Sequence, residues 1–242
     1  MSSSAKTVAI VQSSYIPWKG YFDLINAADE FILYDDQQYT RRDWRNRNRI
    51  KTPQGVTWLS IPVRVKGRYF QRIDETEIAD PAWAADHWRT IEHAYRQAPF
   101  FDHYREALEA LYRGCDEPLL SRVNRRFLET LCDLLRIPAR LTWSTDYEAE
   151  GRKTERLVSL CRAARGTMYL SGPTARAYID ERLFEEAGLA LRYMDYAGYP
   201  EYEQLHPPFE HAVSVIDLLV HTGPEARTHF RSFDALDGRD AA

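Results

Sequence analysis

Residues 7–13 place Val8, Ala9, Ile10 and Val11 in one uninterrupted apolar run. Such a run suits a strand buried on both faces of a parallel sheet. Pro17 then fits the first position of a helix, with Tyr21, Phe22, Leu24 and Ile25 on its apolar side. A second short apolar run covers residues 31–34. Strand, helix and strand within about thirty residues form a βαβ unit. This opening predicts an α/β chain with a mostly parallel sheet of Rossmann-like βαβ units.

The middle of the chain changes character. Residues 35–55 read as a polar, basic loop, residues 56–65 as a third strand and residues 69–78 as a further strand. From 81 to 136 apolar residues recur at helical spacing: Trp83, His87, Trp88, Ile91 and Tyr95, then Tyr104, Leu108, Leu111 and Tyr112, then Leu120, Val123, Phe127, Leu131 and Leu134. These predict three helices forming a helical insertion or subdomain. The last third alternates again. It has a strand at 141–144, a helix at 153–164 and a strand at 168–170. A helix at 175–187 is stopped by Gly188, and a strand at 189–194 and a helix at 213–220 follow. The expected layout is one α/β domain over 1–232, with 81–136 inserted and 233–242 as a flexible tail.

Charge excludes some classes of function. The 242 residues carry a formal net charge of −4, so the molecule as a whole is not built for non-specific nucleic-acid or membrane binding. Attraction to a polyanion would need a local patch. No stretch approaches the roughly 18 apolar residues that span a bilayer, and the start lacks a basic region, a full apolar core and a cleavage site. No membrane insertion and a cytoplasmic location are expected. The three cysteines, Cys115, Cys132 and Cys161, are odd in number and have no CxxC spacing. Neither a disulfide framework nor a zinc site is expected.

Three strand ends could carry chemistry, because ligands of parallel sheets bind beyond the carboxyl ends of strands. The richest is 35–51, DDQQYTRRDWRNRNRIK, with six basic residues in its last eleven. Arginine forks favour planar capture of phosphate or carboxylate. Gln38, Asn46, Arg47, Asn48 and Arg49 are the expected substrate contacts, and Asp35 and Asp36 the expected general base or magnesium ligands. Adjacent residues of an extended strand point to opposite sides, so one of the two aspartates should face the site, and Asp36, one step further into the loop, is favoured. The second end, QSSYIPWKGY from Gln12, offers Gln12, Lys19 and free amides at a helix start. It stands where nucleotidylyltransferases carry an HxGH turn, but Trp18 and Tyr21 replace both histidines, which argues against adenylating chemistry. The third, YLSGPTARAY from Tyr169, offers Ser171 and Gly172. Gln12, Asp35, Asp36, Arg47 and Ser171 are expected to converge on one pocket.

These segments, in this order, resemble the WbqC-like family. The likeness runs from about Val8 to Gly223 and is most specific at Gln12 through Tyr21, at Asp35-Asp36-Gln37-Gln38-Tyr39, at Asn46 through Ile50 with Trp58-Leu59, at Tyr169 through Gly172 and at Ser214 through Asp217. The resemblance implies a bacterial role beside O-antigen and other surface-polysaccharide genes. It further implies acyl or aminoacyl (glycyl) transfer to an amino group of a nucleotide-linked sugar. The expected partner is therefore a phosphate-bearing small molecule, a nucleotide sugar or ATP. Nucleic acid would enter only as an aminoacyl-tRNA donor. An ATP-dependent amide ligase or nucleotidylyltransferase-like enzyme, and a non-catalytic binding module of a biosynthetic complex, are the alternatives.

Overall fold

The computed structural model describes residues 5–138 and 140–232. The flexible tail expected at 233–242 lies outside the described residues. Five strands form one parallel sheet: β1 (Thr7–Val11), β2 (Glu30–Leu33), β5 (Arg140–Trp143), β6 (Met168–Ser171) and β7 (Ala190–Tyr193), in the order β5-β2-β1-β6-β7. The α/β class read from the opening unit is the class found.

Alternation along the strands divides the core. Ala9, Phe31, Leu33 and Leu170 join one large apolar cluster with helices α1 (Lys19–Asn26), α7 (Val215–Thr222) and the three helices α2 (Trp83–Tyr95), α3 (Phe101–Arg113) and α4 (Leu120–Leu135). Val8, Ile10, Ile32 and Tyr169 face the other way, against α5 (Thr154–Ala163) and α6 (Glu181–Glu186). Both faces of β1 and β2 are covered, which is why these strands read as continuous apolar runs.

Two readings of the middle segment need correction. Part of the basic loop expected at 35–55 is a six-residue strand, β3 (Arg47–Thr52), paired antiparallel with β4 (Gly55–Ser60) in a separate hairpin. Its period-2 pattern is hard to see because Arg and Asn alternate. Asn48 and Ile50 are buried while Arg47 and Arg49 are only half-buried, and the apolar signal rests on Ile50 alone. The strand expected at 69–78 is an irregular segment with one 3-10 turn, Ile73–Glu75, and isolated bridges such as Gln38 to Arg72. The helix expected at 175–187 is broken into a 3-10 turn, Pro173–Ala177, and α6.

Candidate functional site

The chain runs outward from β1 to β2 and β5, then crosses back over the sheet to β6 and β7. The switch point therefore lies between β1 and β6, where crevices form beyond the strand ends. A cleft of about 720 Å³ opens there, lined by Gln12 after β1 and by Ser171 and Gly172 after β6. Trp18, Tyr21, Tyr34, Tyr178 and Tyr196 supply aromatic wall, and Arg45 and Lys153 supply positive charge. No Asp, Glu or His lines it among the described residues. A second, more apolar chamber of about 280 Å³ adjoins it under Trp44 and Pro17. The two chambers share Val11, Trp18, Tyr21 and Arg45.

The β1–α1 turn is held from several directions. The Ser13 amide donates to Asp35 Oδ1 at 2.7 Å, and the Tyr15 amide donates to the Trp44 carbonyl at 3.1 Å. The Asn48 amide group donates to the Tyr15 carbonyl at 3.0 Å, and the Tyr21 hydroxyl to the Gln12 carbonyl at 3.0 Å. Asn124 of α4 donates to both Ser13 Oγ and the Arg45 carbonyl, each at 2.9 Å. This over-determined turn keeps Ile16, a β-branched residue, at φ 35°, a conformation that costs energy in isolation. Lys153, at φ 50° and ψ −126°, is a second strained residue and stands on the cleft wall.

Arg45 occupies the junction of the chambers. It is only 9% exposed, and its Nε and Nη1 make no hydrogen bond. The Asp43 carboxylate stands 3.8 Å from Nε, beyond bonding reach. Buried guanidinium donors are normally satisfied, so Arg45 presents open donors to whatever enters the cleft. It was not among the substrate contacts expected from sequence, because nothing in the repeating Arg-Asn pattern distinguishes it from Arg47 or Arg49.

The structure separates the other predicted residues. Gln12, Ser171 and Gly172 line the large chamber, and Asn48 lines the small one while its side chain anchors Tyr15. Asp36 does not join them. Its carboxylate is bound by Arg156 of α5 at 2.5 Å and by Ser144 Oγ at 2.7 Å, and it borders a separate polar pocket of about 250 Å³ with Asp35 and Asp74. The expected convergence with Ser171 is therefore not found. The two carboxylates have different partners: Asp35 Oδ1 accepts from the Ser13 amide, with its Oδ2 unpartnered, and Asp36 pairs with Arg156. Among the described residues no cluster of three or more His, Cys, Asp or Glu stands ready for a metal. Arg47 stacks on Trp58, 4.1 Å from the ring centre, and donates to the Arg42 carbonyl. Arg49 lies 5.7 Å from the Trp44 ring. Gln38 ties the Tyr69 carbonyl at 3.0 Å, and Asn46 bonds Tyr39 and the Ile61 carbonyl. Lys19 is 2% exposed, donates to the Pro200 carbonyl at 2.9 Å and lies among the rings of Tyr199, Tyr202 and Phe209. Burial pushes its amine down to about 8, against the opposing pull of Asp217.

Two local predictions follow from this geometry. Burial raises the Asp35 carboxyl to about 6, offset in part by the Ser13 hydrogen bonds and Arg45. A folded-state value above the unfolded one means that the protonated form favours folding. That contribution is complete below about pH 4 and is lost as pH rises through about 6. Asp35→Asn, which keeps an acceptor for Ser13, should therefore raise stability by about 1–3 kcal/mol at pH 8 and change little at pH 4. Urea melts at the two pH values check this; an equal effect at both would refute the assignment. The second concerns Gly20, whose substitution would place a Cβ 2.3 Å from the Trp18 ring. Gly20→Ala must displace Trp18 from both chambers, and a loss of about 1–3 kcal/mol is expected from the overpacking. Retention of wild-type melting and Trp fluorescence would show that the ring has room to move.

The WbqC-like protein family model matches residues 12–229. The chain belongs to the WbqC-like family. An uncharacterized protein of Mycobacterium tuberculosis is 52% identical over 226 residues, which cover 93% of this chain and 98% of that protein. No solved structure matches the chain significantly. In this member of the family, residues of the Gln12–Tyr21 and Tyr169–Gly172 segments line one cleft, while of the Asp35–Tyr39 and Asn46–Ile50 segments Gln37 lines that cleft and Asn48 the smaller chamber.

Proposed function

We propose that this WbqC-like protein binds a nucleotide-linked sugar in the β1–β6 cleft and acts in the cytoplasm as a transferase of bacterial surface-polysaccharide biosynthesis, moving an acyl or aminoacyl group onto an amino group of that sugar. One observation supports the ligand class above the rest: a cleft with open Arg45 donors, Lys153, aromatic walls and no lining carboxylate. Aromatic faces suit a nucleobase or a sugar ring, and the guanidinium suits a diphosphate. The smaller apolar chamber beyond Arg45 gives the group to be transferred a place beside the acceptor, so that the reaction would draw on positioning. The transfer itself rests on what the family implies.

A non-catalytic binding module is the second reading. It is favoured by the lack of any Asp, Glu or His on the cleft wall, which leaves no evident general base there. Calorimetric titration with a nucleoside diphosphate sugar tests the ligand class. Saturable one-site binding, competed by inorganic pyrophosphate and not matched by the bare nucleoside, is expected. A flat titration would end the proposal. Pyrophosphate release on incubation with ATP, an amino acid and magnesium would instead favour the ligase.

A further inference from the structure

Positive charge and exposed aromatic side chains are concentrated in one stretch of this net-acidic chain. Residues 41–68 contain nine Lys and Arg (41, 42, 45, 47, 49, 51, 64, 66 and 68) against a single acid, Asp43. Among the described residues the large apolar side chains standing exposed are Trp44, Val56, Trp58, Tyr69, Phe70 and Tyr178, so five of these six fall between positions 44 and 70. Tyr69 and Phe70 are 72% and 80% exposed. Their loop is tied to the basic segment. Arg41 donates to the Val65 carbonyl at 2.8 Å, Gln38 to the Tyr69 carbonyl at 3.0 Å, and the Tyr39 amide to the Gln71 carbonyl at 2.9 Å. Within the stretch, Arg45 stands near Asp43, and Arg64 and Arg68 pair with Glu77. Among the described residues, Arg41, Arg42, Arg47, Arg49 and Lys66 form no ion pair.

We propose that the hairpin β3–β4 and the loop carrying Tyr69 and Phe70 dock the protein peripherally on an anionic lipid bilayer. Aromatic side chains at an interface bury their rings at headgroup level while nearby cations meet lipid phosphates. Charge complementarity favours an anionic occupant, since nine cations stand against one acid in this stretch and five of them form no ion pair among the described residues. The geometry favours lipid over single-stranded nucleic acid. A stacking platform needs free ring faces, and here the Arg47 guanidinium already covers Trp58 at 4.1 Å while Trp44 leans on Trp58 at 5.3 Å and 37°. Tyr69 and Phe70 meet edge to face at 89°, which suits insertion as a wedge better than flat stacking. No helix of the described residues is long and apolar enough to cross a membrane, so the contact is a surface one. Trp44 belongs both to this patch and to the small chamber, so docking would bring that chamber's wall to the lipid surface.

Sedimentation of the full chain with vesicles of phosphatidylglycerol and phosphatidylcholine in equal parts, and with phosphatidylcholine alone, tests this. Wild type should pellet with the anionic vesicles, less so as salt rises, and stay in solution with the neutral ones. The double change Tyr69→Ser, Phe70→Ser should lower partitioning about tenfold or more, and Arg42→Gln with Lys66→Gln about fivefold per charge removed. All four side chains are exposed, so melting should not change; should the aromatic pair misfold, the charge pair decides. Failure to pellet with anionic vesicles, or equal pelleting with both, would overturn the proposal, as would retention of single-stranded RNA without vesicle binding.

Discussion

An Arg45→Met protein is expected to bind a nucleoside diphosphate sugar about ten- to a hundredfold more weakly than wild type, while melting at the same temperature or higher. The two halves of this expectation have one origin. Arg45 is buried with two donor nitrogens unmatched, so the unliganded fold carries the cost of desolvating a charge. Methionine fills much of the same volume without that cost. A ligand phosphate satisfies the donors, and a charge-assisted hydrogen bond of this kind contributes about 1.5–3 kcal/mol. The main-chain bonds that hold the segment, from Asn124 to the Arg45 carbonyl and from Tyr15 to the Trp44 carbonyl, do not involve the side chain. Calorimetry and a thermal melt on the same preparation check both halves. Unchanged affinity would remove Arg45 from the site, and a large fall in melting temperature would make it a structural residue.

The largest expected effect on stability comes from Asp217→Ala. Asp217 is fully buried in α7. Its carboxylate accepts from the Tyr95 hydroxyl at 2.9 Å, the Tyr202 hydroxyl at 2.7 Å and Gln204 Nε2 at 2.8 Å, with His221 Nδ1 at 3.5 Å. Tyr95 in turn accepts the Lys51 amide at 3.0 Å, which links α2 and α7 to the hairpin. Truncation leaves several buried donors without an acceptor, and the segment at 200–211 loses its anchor. Breaking a buried charged network by removing one member costs about 3–5 kcal/mol. For a chain of this size that corresponds to a fall of roughly 6–20 °C in melting temperature. A loss below about 1 kcal/mol would mean that the network rearranges around the gap. The sequence motif Ser214 through Asp217 thus carries architecture: the Ser214 amide donates to the Arg49 carbonyl and the Val215 amide to the Pro17 carbonyl, so the start of α7 fastens the hairpin to the β1–α1 turn.

The parts of the fold legible in the sequence are those whose signal is local and periodic. Val8–Val11, the apolar face of α1 and the three inserted helices all repeat at their element's own period, and each lies within a residue or a few of where it was expected. Strand β3 escaped because its inward residues, Asn48 and Ile50, include a polar one that is buried to bond the Tyr15 carbonyl. That requirement is set by a residue on another element. The same reason explains the site. Gln12, Ser171 and Gly172 were legible because a strand end is a position in sequence, and the cleft forms at strand ends. The fates of Asp36 and Arg45 were not, because they depend on Arg156 of α5 reaching the first and on the nearest carboxylate, Asp43, standing 3.8 Å from the second. Trp18 and Tyr21 read equally well as core, and they do pack; their edges also wall the two chambers.

The central position of β1 has a consequence for synthesis of the chain. Thr7 pairs with Met168 and Ala9 with Leu170, so one edge of the first strand made is closed by a strand made about 160 residues later. At translation rates of 5–20 residues per second, that edge waits roughly ten to thirty seconds for its partner. Through that interval an apolar ribbon with unpaired amides and carbonyls is presented to other chains. Nascent chains that stop short of Ser171 should therefore be the aggregation-prone species, and chaperone occupancy on the ribosome should fall only after β6 has emerged.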